Sequence, residues 1–310
     1  MRIIRDYQFV EDQDRGASVA IGNFDGVHLG HQSVIDLARD AAPHAPLGIL
    51  TFEPHPRAYF APDAPAFRLM NPEARASRLE KIGVDRLYEI NFNTGLASLT
   101  PREFAQTVIC DGLGLAHVVV GADFCFGKGR AGKAKDLVAF GAEMGFGVTI
   151  APLLAQDVDT VSSTAIRRAL TEARPDDAAA MLGHWHRIEG PVIGGEQRGR
   201  ELGYPTANMS IDGLHPPAFG VYAVLVDVLD GPHAGSYQGA ASMGVRPMFG
   251  ENRPNLETFI FDFSGDLYGA HLSVALVAYL RGEEKFDGLD ALITQMDADC
   301  VTAREILGAL

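Results

Sequence analysis

Between Ser18 and about Ile150 the chain alternates short apolar runs with longer segments whose apolar residues recur at helical spacing. The runs are SVAIGNF, LGILTFEP, RLYEINF, HVVVGADF and GVTIAPLL. This alternation predicts a parallel sheet with crossover helices, an α/β fold. Asn71-Pro72-Glu73 and Thr100-Pro101-Arg102-Glu103 mark two helix starts, because each sets a capping side chain before Pro and an acid in the first turn. STAIRRALTEARPDDAAAML reads as a helical stretch, and the pattern changes after it at about Gly183.

From Ile188 onward strand follows strand with Gly and Pro turns between: PVIGG, TANMSI, GVYAVLVDVLD, SYQGAASMGV, LETFIFDF and HLSVALVAYLR. The prediction is an all-β barrel or sandwich closed by one amphipathic helix near Leu289–Leu310. No internal repeat relates the halves, so two different folds are expected. The expected domains are residues 1–182 and 183–310, joined by the short segment around Gly183–Arg187.

A chain of 310 residues is long enough for two such cores. The formal charge of −14 repels a polyanionic duplex, and nucleic acid is not an expected partner. The same field opposes ATP, so a phosphate site has to supply backbone amides, a few basic side chains and a cation. Cys110, Cys125 and Cys300 are too few and too scattered for a disulfide framework or a C-x-x-C site, which fits a reducing cytoplasm. No signal-peptide core opens the sequence, and SVALVAYL (Ser273 to Leu280) is too short to span a bilayer, so no membrane is expected. Homo-oligomerisation is left open.

In parallel sheets ligands bind where a strand turns into a helix, beyond its carboxyl end. GNFDGVHLGHQ, Gly22 to Gln32, occupies such a turn. Its glycines permit tight backbone approach, and His28 and His31 stand three apart at the helix start, where imidazoles can donate hydrogen bonds to phosphate oxygens. The same pair also suits helix-end hydrogen bonding; a zinc pair lacks an obvious third ligand. VSSTAIRR, Val161 to Arg168, is a second phosphate cradle or an ordinary cap, with hydroxyls of Ser162, Ser163 and Thr164 at a positive helix end and Arg167 one turn in. Lys128, Arg130 and Lys133 lie in a basic, Gly-rich loop that either covers phosphates or is simply solvated.

In the second half, GPVIGGEQRGRELGYPTAN, Gly190 to Asn208, is dense in glycine. Gly195, Gly199 and Arg200 fit a turn that presents groups to ATP, and Thr206 and Asn208, two apart on one strand face, offer neutral oxygens to Mg²⁺. A β-turn followed by an ordinary strand reads the same way. Phosphorylating an alcohol also needs a proton acceptor, and Glu257 in NLETFIFDF is the carboxylate chosen, although a solvent-facing acid has the same pattern.

GNFDGVHLGH, TFEPHP, GADFCFGKGRAG and VSSTAIR, in that order, resemble the adenylyltransferase module of prokaryotic bifunctional FAD synthetases, and GR-LG-PTAN, GVYAV, GVRP, LETFIFDF, DLYG and LRGEEKF resemble their riboflavin kinase module. The resemblance implies a Rossmann-like nucleotidyltransferase domain followed by a small antiparallel β-barrel. It implies phosphorylation of riboflavin to FMN with ATP, then AMP transfer from ATP to FMN, giving FAD and pyrophosphate. By this likeness Gly22, Asn23, Phe24, Asp25, His28, His31, Ser163, Thr164 and Arg167 face ATP, and His55, Asp123 and Phe124 lie near flavin and phosphates. Thr206, Asn208 and Glu257 would serve the kinase. The sequence departs from the family pattern at Glu53, where Asp is usual, at Met248 after Pro247, and at Phe259, where His is usual. Two other readings stay open: a half retained only as a flavin-binding regulatory module, and a nucleotidyltransferase for another phosphorylated acceptor.

Overall fold

Strands buried on both faces have to be apolar at every position, and this is what the first half supplies. Leu47, Gly48, Ile49, Leu50 and Thr51 are all buried along one strand, and Ser18–Ile21 is buried throughout. The computed structural model describes residues 1–152, 161–194, 203–248 and 251–310. Its backbone contacts divide the chain into two compact units: Met1–Pro65 with Arg75–Thr160, and Ala66–Ala74 with Val161–Leu310.

The first unit carries strands β1 (Arg2–Ile4), β2 (Ser18–Ile21), β3 (Leu47–Glu53), β4 (Arg86–Asn91), β5 (His117–Gly121), the short β6 (Cys125–Phe126) and β7 (Gly132–Lys133), and β8 (Gly147–Ala151). Its main sheet runs β1-β4-β3-β2-β5-β8 and every pair is parallel, as the alternating pattern predicts. The three residues of β1 are too few to show a period. Helices α1 (Leu29–Ala41), α2 (Pro56–Phe60), α3 (Pro72–Lys81), α4 (Thr94–Ser98), α5 (Pro101–Glu103) and α6 (Ala134–Met144) fill the crossovers. Both marked helix starts form: Asn71 Oδ1 accepts the Ala74 amide, and Thr100 and Glu103 make a reciprocal capping box. Beyond Glu103 the helix widens into π turns over Phe104–Gly112. The order in which strands are added reverses at β2, whose neighbours are β3 on one side and β5 on the other, so the loops after β3, β2 and β5 open side by side at the carboxyl edge.

The stretch read as one helical segment is two helices, α7 (Ser163–Thr171) and α8 (Pro175–Leu182). Pro175 has no amide to continue α7, and the chain turns through Ala173 at φ 59° before Pro175 starts α8. Both helices belong to the second unit, with β9 (His186–Pro191), β10 (Thr206–Ser210), β11 (Gly220–Val228), β12 (Gly235–Met248), β13 (Glu251–Ile260), β14 (His271–Arg281) and α9 (Leu289–Leu307). The antiparallel sheet β10-β13-β12-β11-β14-β9 curls until Ile193, just past β9, bridges Asn208 of β10. The expected PVIGG strand is displaced: pairing with β14 covers His186 to Pro191, and beyond it the Val192 amide still donates to Ala270 O at 2.9 Å before Ile193 bridges Asn208. Inward residues such as Met209, Val224, Met243, Leu256 and Leu276 form the barrel core. Ala303 and Leu307 of α9 seal the outer face against Ala223, Ala240, Phe261 and Val277.

Candidate functional site

The loop after β2 is tied to its neighbour by Gly22 N–H to Leu50 O (3.1 Å) and Thr51 Oγ1 to Asn23 O (3.3 Å). It then turns through Phe24 at φ 50°, Gly26 at 89° and Val27 at 44°. Left-handed backbone is costly for a β-branched residue, and such strain gathers at functional sites. The turn delivers His28 as the N-cap of α1, its Nδ1 accepting the His31 amide at 3.3 Å, which leaves the ring proton on Nε2. The His28 and His31 rings stack at 3.7 Å and 17°, and Phe24, fully buried, closes on His31 at 5.1 Å. Burial, then the neighbouring His28, pushes the His31 pKa well below the usual imidazole range, so the ring is neutral at pH 7. Its Nδ1 is buried without a partner. A buried ring nitrogen left unsatisfied is costly in the free protein and suits a site completed by ligand. Asp25 is buried in the same turn, and Asn23 is exposed beside it.

The next loop carries Glu53, Pro54 and His55. His55 caps α2 by accepting the Arg57 amide at 3.0 Å. Glu53 Oε2 accepts from Arg75 (3.2 Å), a fully buried guanidinium that also donates to Glu89 (2.8 Å). Phe60 of α2 is 69% exposed, edge-on to Tyr59 and Phe92, an apolar ring offered to solvent next to the loop. After β5, Phe124 stacks on Phe126 at 5.5 Å and Asp123 is exposed. Of the basic loop, Lys133 Nζ lies 3.2 Å from Cys125 Sγ, and Lys133 and then Arg130 hold that thiol below its ordinary pKa.

Ser162 caps α7, its Oγ accepting the Ala165 amide at 3.1 Å, so Ser163 and Thr164 occupy the first turn. Arg167 Nε donates to Phe67 O, with the guanidinium over the Phe67 ring at 5.6 Å. These three predicted residues lie in the second unit, whereas His28, His31, His55, Asp123 and Phe124 lie in the first.

Within the barrel, antiparallel register sets Asn208 directly opposite Glu257 and Thr206 opposite Phe259. All four face away from the core, toward the side that α9 covers. Tyr204 packs edge-on to Phe259 at 5.0 Å and its hydroxyl bonds Asp297 of α9, anchoring the entry to β10. Sequence reasoning missed Asn255, although its spacing of two from Glu257 gave the signal. It is 1% exposed, and its Nδ2 lies 3.4 Å from Asn208 Oδ1 and 3.5 Å from Glu257 Oε1. Thr206 and Asn208 also line a cleft of about 320 Å³ whose other walls include Pro205, Phe263, Asp266 and Tyr268. A hydroxyl and a carboxamide beside a carboxylate are hard oxygen donors, a set that fits Mg²⁺ and not a soft metal. Among the described residues no group of three or more His, Cys, Asp or Glu side chains could hold a metal. Gly195, Gly199 and Arg200 lie outside the described residues, and so does the side chain of Met248.

Sequence models of two families match the chain: FAD synthetase over residues 10–165 and riboflavin kinase over residues 182–307. Curated relatives described as bifunctional riboflavin kinase/FMN adenylyltransferase include one from Pseudomonas fluorescens, 40% identical over 99% of this chain and 98% of that protein. Another, from Escherichia coli K12, is 35% identical over 99% and 98%. A crystal structure described as a macrolide-efflux protein from Streptococcus pneumoniae superimposes with a TM-score of 0.80 at 33% identity, covering 96% of each chain. Among the described residues here, no helix is long and apolar enough to cross a membrane.

Proposed function

The chain belongs to the family of bifunctional riboflavin kinase/FMN adenylyltransferases, and from that premise we propose which of its residues perform each reaction. It phosphorylates riboflavin to FMN with ATP and then joins FMN to AMP from a second ATP, releasing pyrophosphate.

For phosphorylation, Glu257 accepts the proton of the terminal ribityl hydroxyl as that oxygen attacks the γ-phosphorus of ATP and ADP leaves. Thr206 and Asn208 hold Mg²⁺, which when bound neutralises charge on the phosphates. The cleft they line takes the nucleotide, its apolar wall of Val192, Ile260 and Phe263 against the base. Facing Asn208 and Glu257 across one ladder is the observation that carries this reading.

For adenylylation, an FMN phosphate oxygen attacks the α-phosphorus of ATP, and the bond to pyrophosphate breaks. The nucleophile is already ionised, so the chain supplies charge stabilisation and no base. His28 and His31 donate hydrogen bonds to the developing charge, and the neutral His31 does so without adding a cation. Gly22, Asn23, Phe24 and Asp25 shape the ATP turn; Ser163, Thr164 and Arg167 supply a helix N-terminus for phosphate. His55, Asp123 and Phe124 stand near the flavin phosphate, with exposed Phe60 as a further ring against the flavin. The two activities divide at residues 182 and 183. Free Cys110, Cys125 and Cys300 support a cytoplasmic setting.

Purified protein incubated with riboflavin, ATP and Mg²⁺ should accumulate FMN before FAD when the flavins are separated over time. Omitting Mg²⁺ should stop FMN formation, and FMN formed at full rate in chelator would refute the ion's role.

A further inference from the structure

One buried amide stands between the two groups that phosphorylation requires. Asn255 is on β13, two residues before Glu257 and therefore on the same face, and it pairs in register with Ser210 of β10, two residues beyond Asn208. At 1% exposure its carboxamide has lost its water, a cost of about 1–3 kcal/mol when unmatched. Its Oδ1 has no partner, so Nδ2 alone explains how the group is turned. That nitrogen has two protons and two acceptors in reach, Asn208 Oδ1 at 3.4 Å and Glu257 Oε1 at 3.5 Å. A carboxamide oxygen has two lone pairs, so Asn208 Oδ1 can accept from Asn255 and still face a cation.

We propose that Asn255 is a positioning residue for riboflavin phosphorylation, one buried amide that fixes the Asn208 carboxamide oxygen and the Glu257 carboxylate relative to each other. The inference rests on the roles assigned above to Asn208 and Glu257. The strands need no such side chain to pair, since backbone register already runs from Thr206↔Phe259 to Ser210↔Asn255. Partners that orient a metal ligand in this way change metal affinity or activity about 10–100-fold when removed. Asn255→Leu removes both donors. Asn255→Asp keeps the shape but sets an acceptor against two acceptors, and Asn255→Ser retains one donor.

The test uses the full-length protein and three readouts: kcat and riboflavin KM for FMN formation, Mn²⁺ affinity with ADP present by electron paramagnetic resonance, and FAD formation from supplied FMN. Leu and Asp should lower kcat about 10–100-fold and weaken Mn²⁺ binding, leaving riboflavin KM and FAD formation near wild type. Ser should recover part of both losses. A wild-type kcat in Asn255→Leu, or a lowered kcat with unchanged Mn²⁺ affinity, overturns the proposal. Should the Leu variant not fold, Asp and Ser decide: Ser above Asp sustains the proposal, and Asp at the wild-type level overturns it. Asn208→Ala and Glu257→Gln run alongside. If either keeps full FMN formation, the underlying site assignment falls; if both lose it and Asn255→Leu does not, only the role of Asn255 falls.

Discussion

At the scale of single residues, buried histidines differ in what their burial implies. His31 is neutral, stacked on His28 and short of a partner at Nδ1, which suits a donor waiting for phosphate. Removing a comparable donor raises a barrier by about 2.7–4 kcal/mol, so His28→Ala, and more so the double variant with His31→Ala, should slow FAD formation by two or more orders of magnitude. FMN should then accumulate in the flavin time course; adenylation of FMN at the wild-type rate would remove these residues from the chemistry. His186 is buried for structural reasons. Burial first, then His184 and His215, lower its pKa to about 3. The unfolded chain, with an imidazole near 6.5, therefore binds a proton that the folded chain does not, and stability is lost as pH falls from about 6.5 toward 3. The slope is about 1.4 kcal/mol per pH unit for one such group. Urea unfolding at pH 7, 6 and 5 should show a steeper loss in wild type than in His186→Gln, and equal slopes would mean that His186 is protonated in the fold.

Element by element, legibility in the sequence followed the strength of the local period. The central parallel strands β2, β3 and β5 announced themselves because burial on both faces forces apolar runs, and the loop after β2 carried glycines and histidines. β1 stayed hidden because Arg2-Ile3-Ile4 is an edge strand with no alternation to read. The α7–α8 break traces to Pro175, which has no N–H to continue α7, whereas the displacement of β9 is a matter of its register with β14, which no local period shows. Thr206, Asn208 and Glu257 were visible as residue types, but their register is a tertiary fact, and so is the placement of Asn255 beside them. The anchoring of α9 was illegible for the same reason: Arg281 at the end of β14 grips Asp299 with Nε at 3.0 Å and Nη2 at 2.7 Å, and Gln295 adds 2.9 Å from within the helix. Asp299 is 7% exposed. Deleting one member of a buried pair costs about 3–5 kcal/mol. Arg281 retains some solvent, which puts Asp299→Ala near the lower end. Urea unfolding that shows less than about 1 kcal/mol of loss would place this contact among weak surface pairs.

For the whole molecule, the question is where a self-contained kinase begins. A boundary at Gly183 cuts the second compact unit, which extends back through Val161 and also takes in Ala66–Ala74. Ile166, Ala169, Leu170, Ala178 and Leu182 of α7 and α8 form one buried cluster together with Leu69. The pair is fastened to the segment before β11 by Ala218 N–H to Leu170 O at 2.9 Å, and by His215 Nε2 at 2.9 Å from Thr171 Oγ1 and 3.1 Å from Arg167 O. The barrel, with its own core, the Asn208–Glu257 pair and α9, lies wholly after residue 183. A fragment of residues 183–310 should therefore fold and form FMN with Mg²⁺, yet be less stable than residues 161–310. Each lost hydrogen bond is worth about 1 kcal/mol, and for a domain of this size the summed loss corresponds to a Tm lower by roughly 5 °C or more. Circular dichroism melts and FMN-formation assays on both fragments make the comparison. Equal Tm values would mean that α7 and α8 add nothing to the barrel. A folded 183–310 fragment without activity beside an active 161–310 fragment would make the two helices part of the kinase, and if both fold but neither forms FMN, the kinase needs residues before 161.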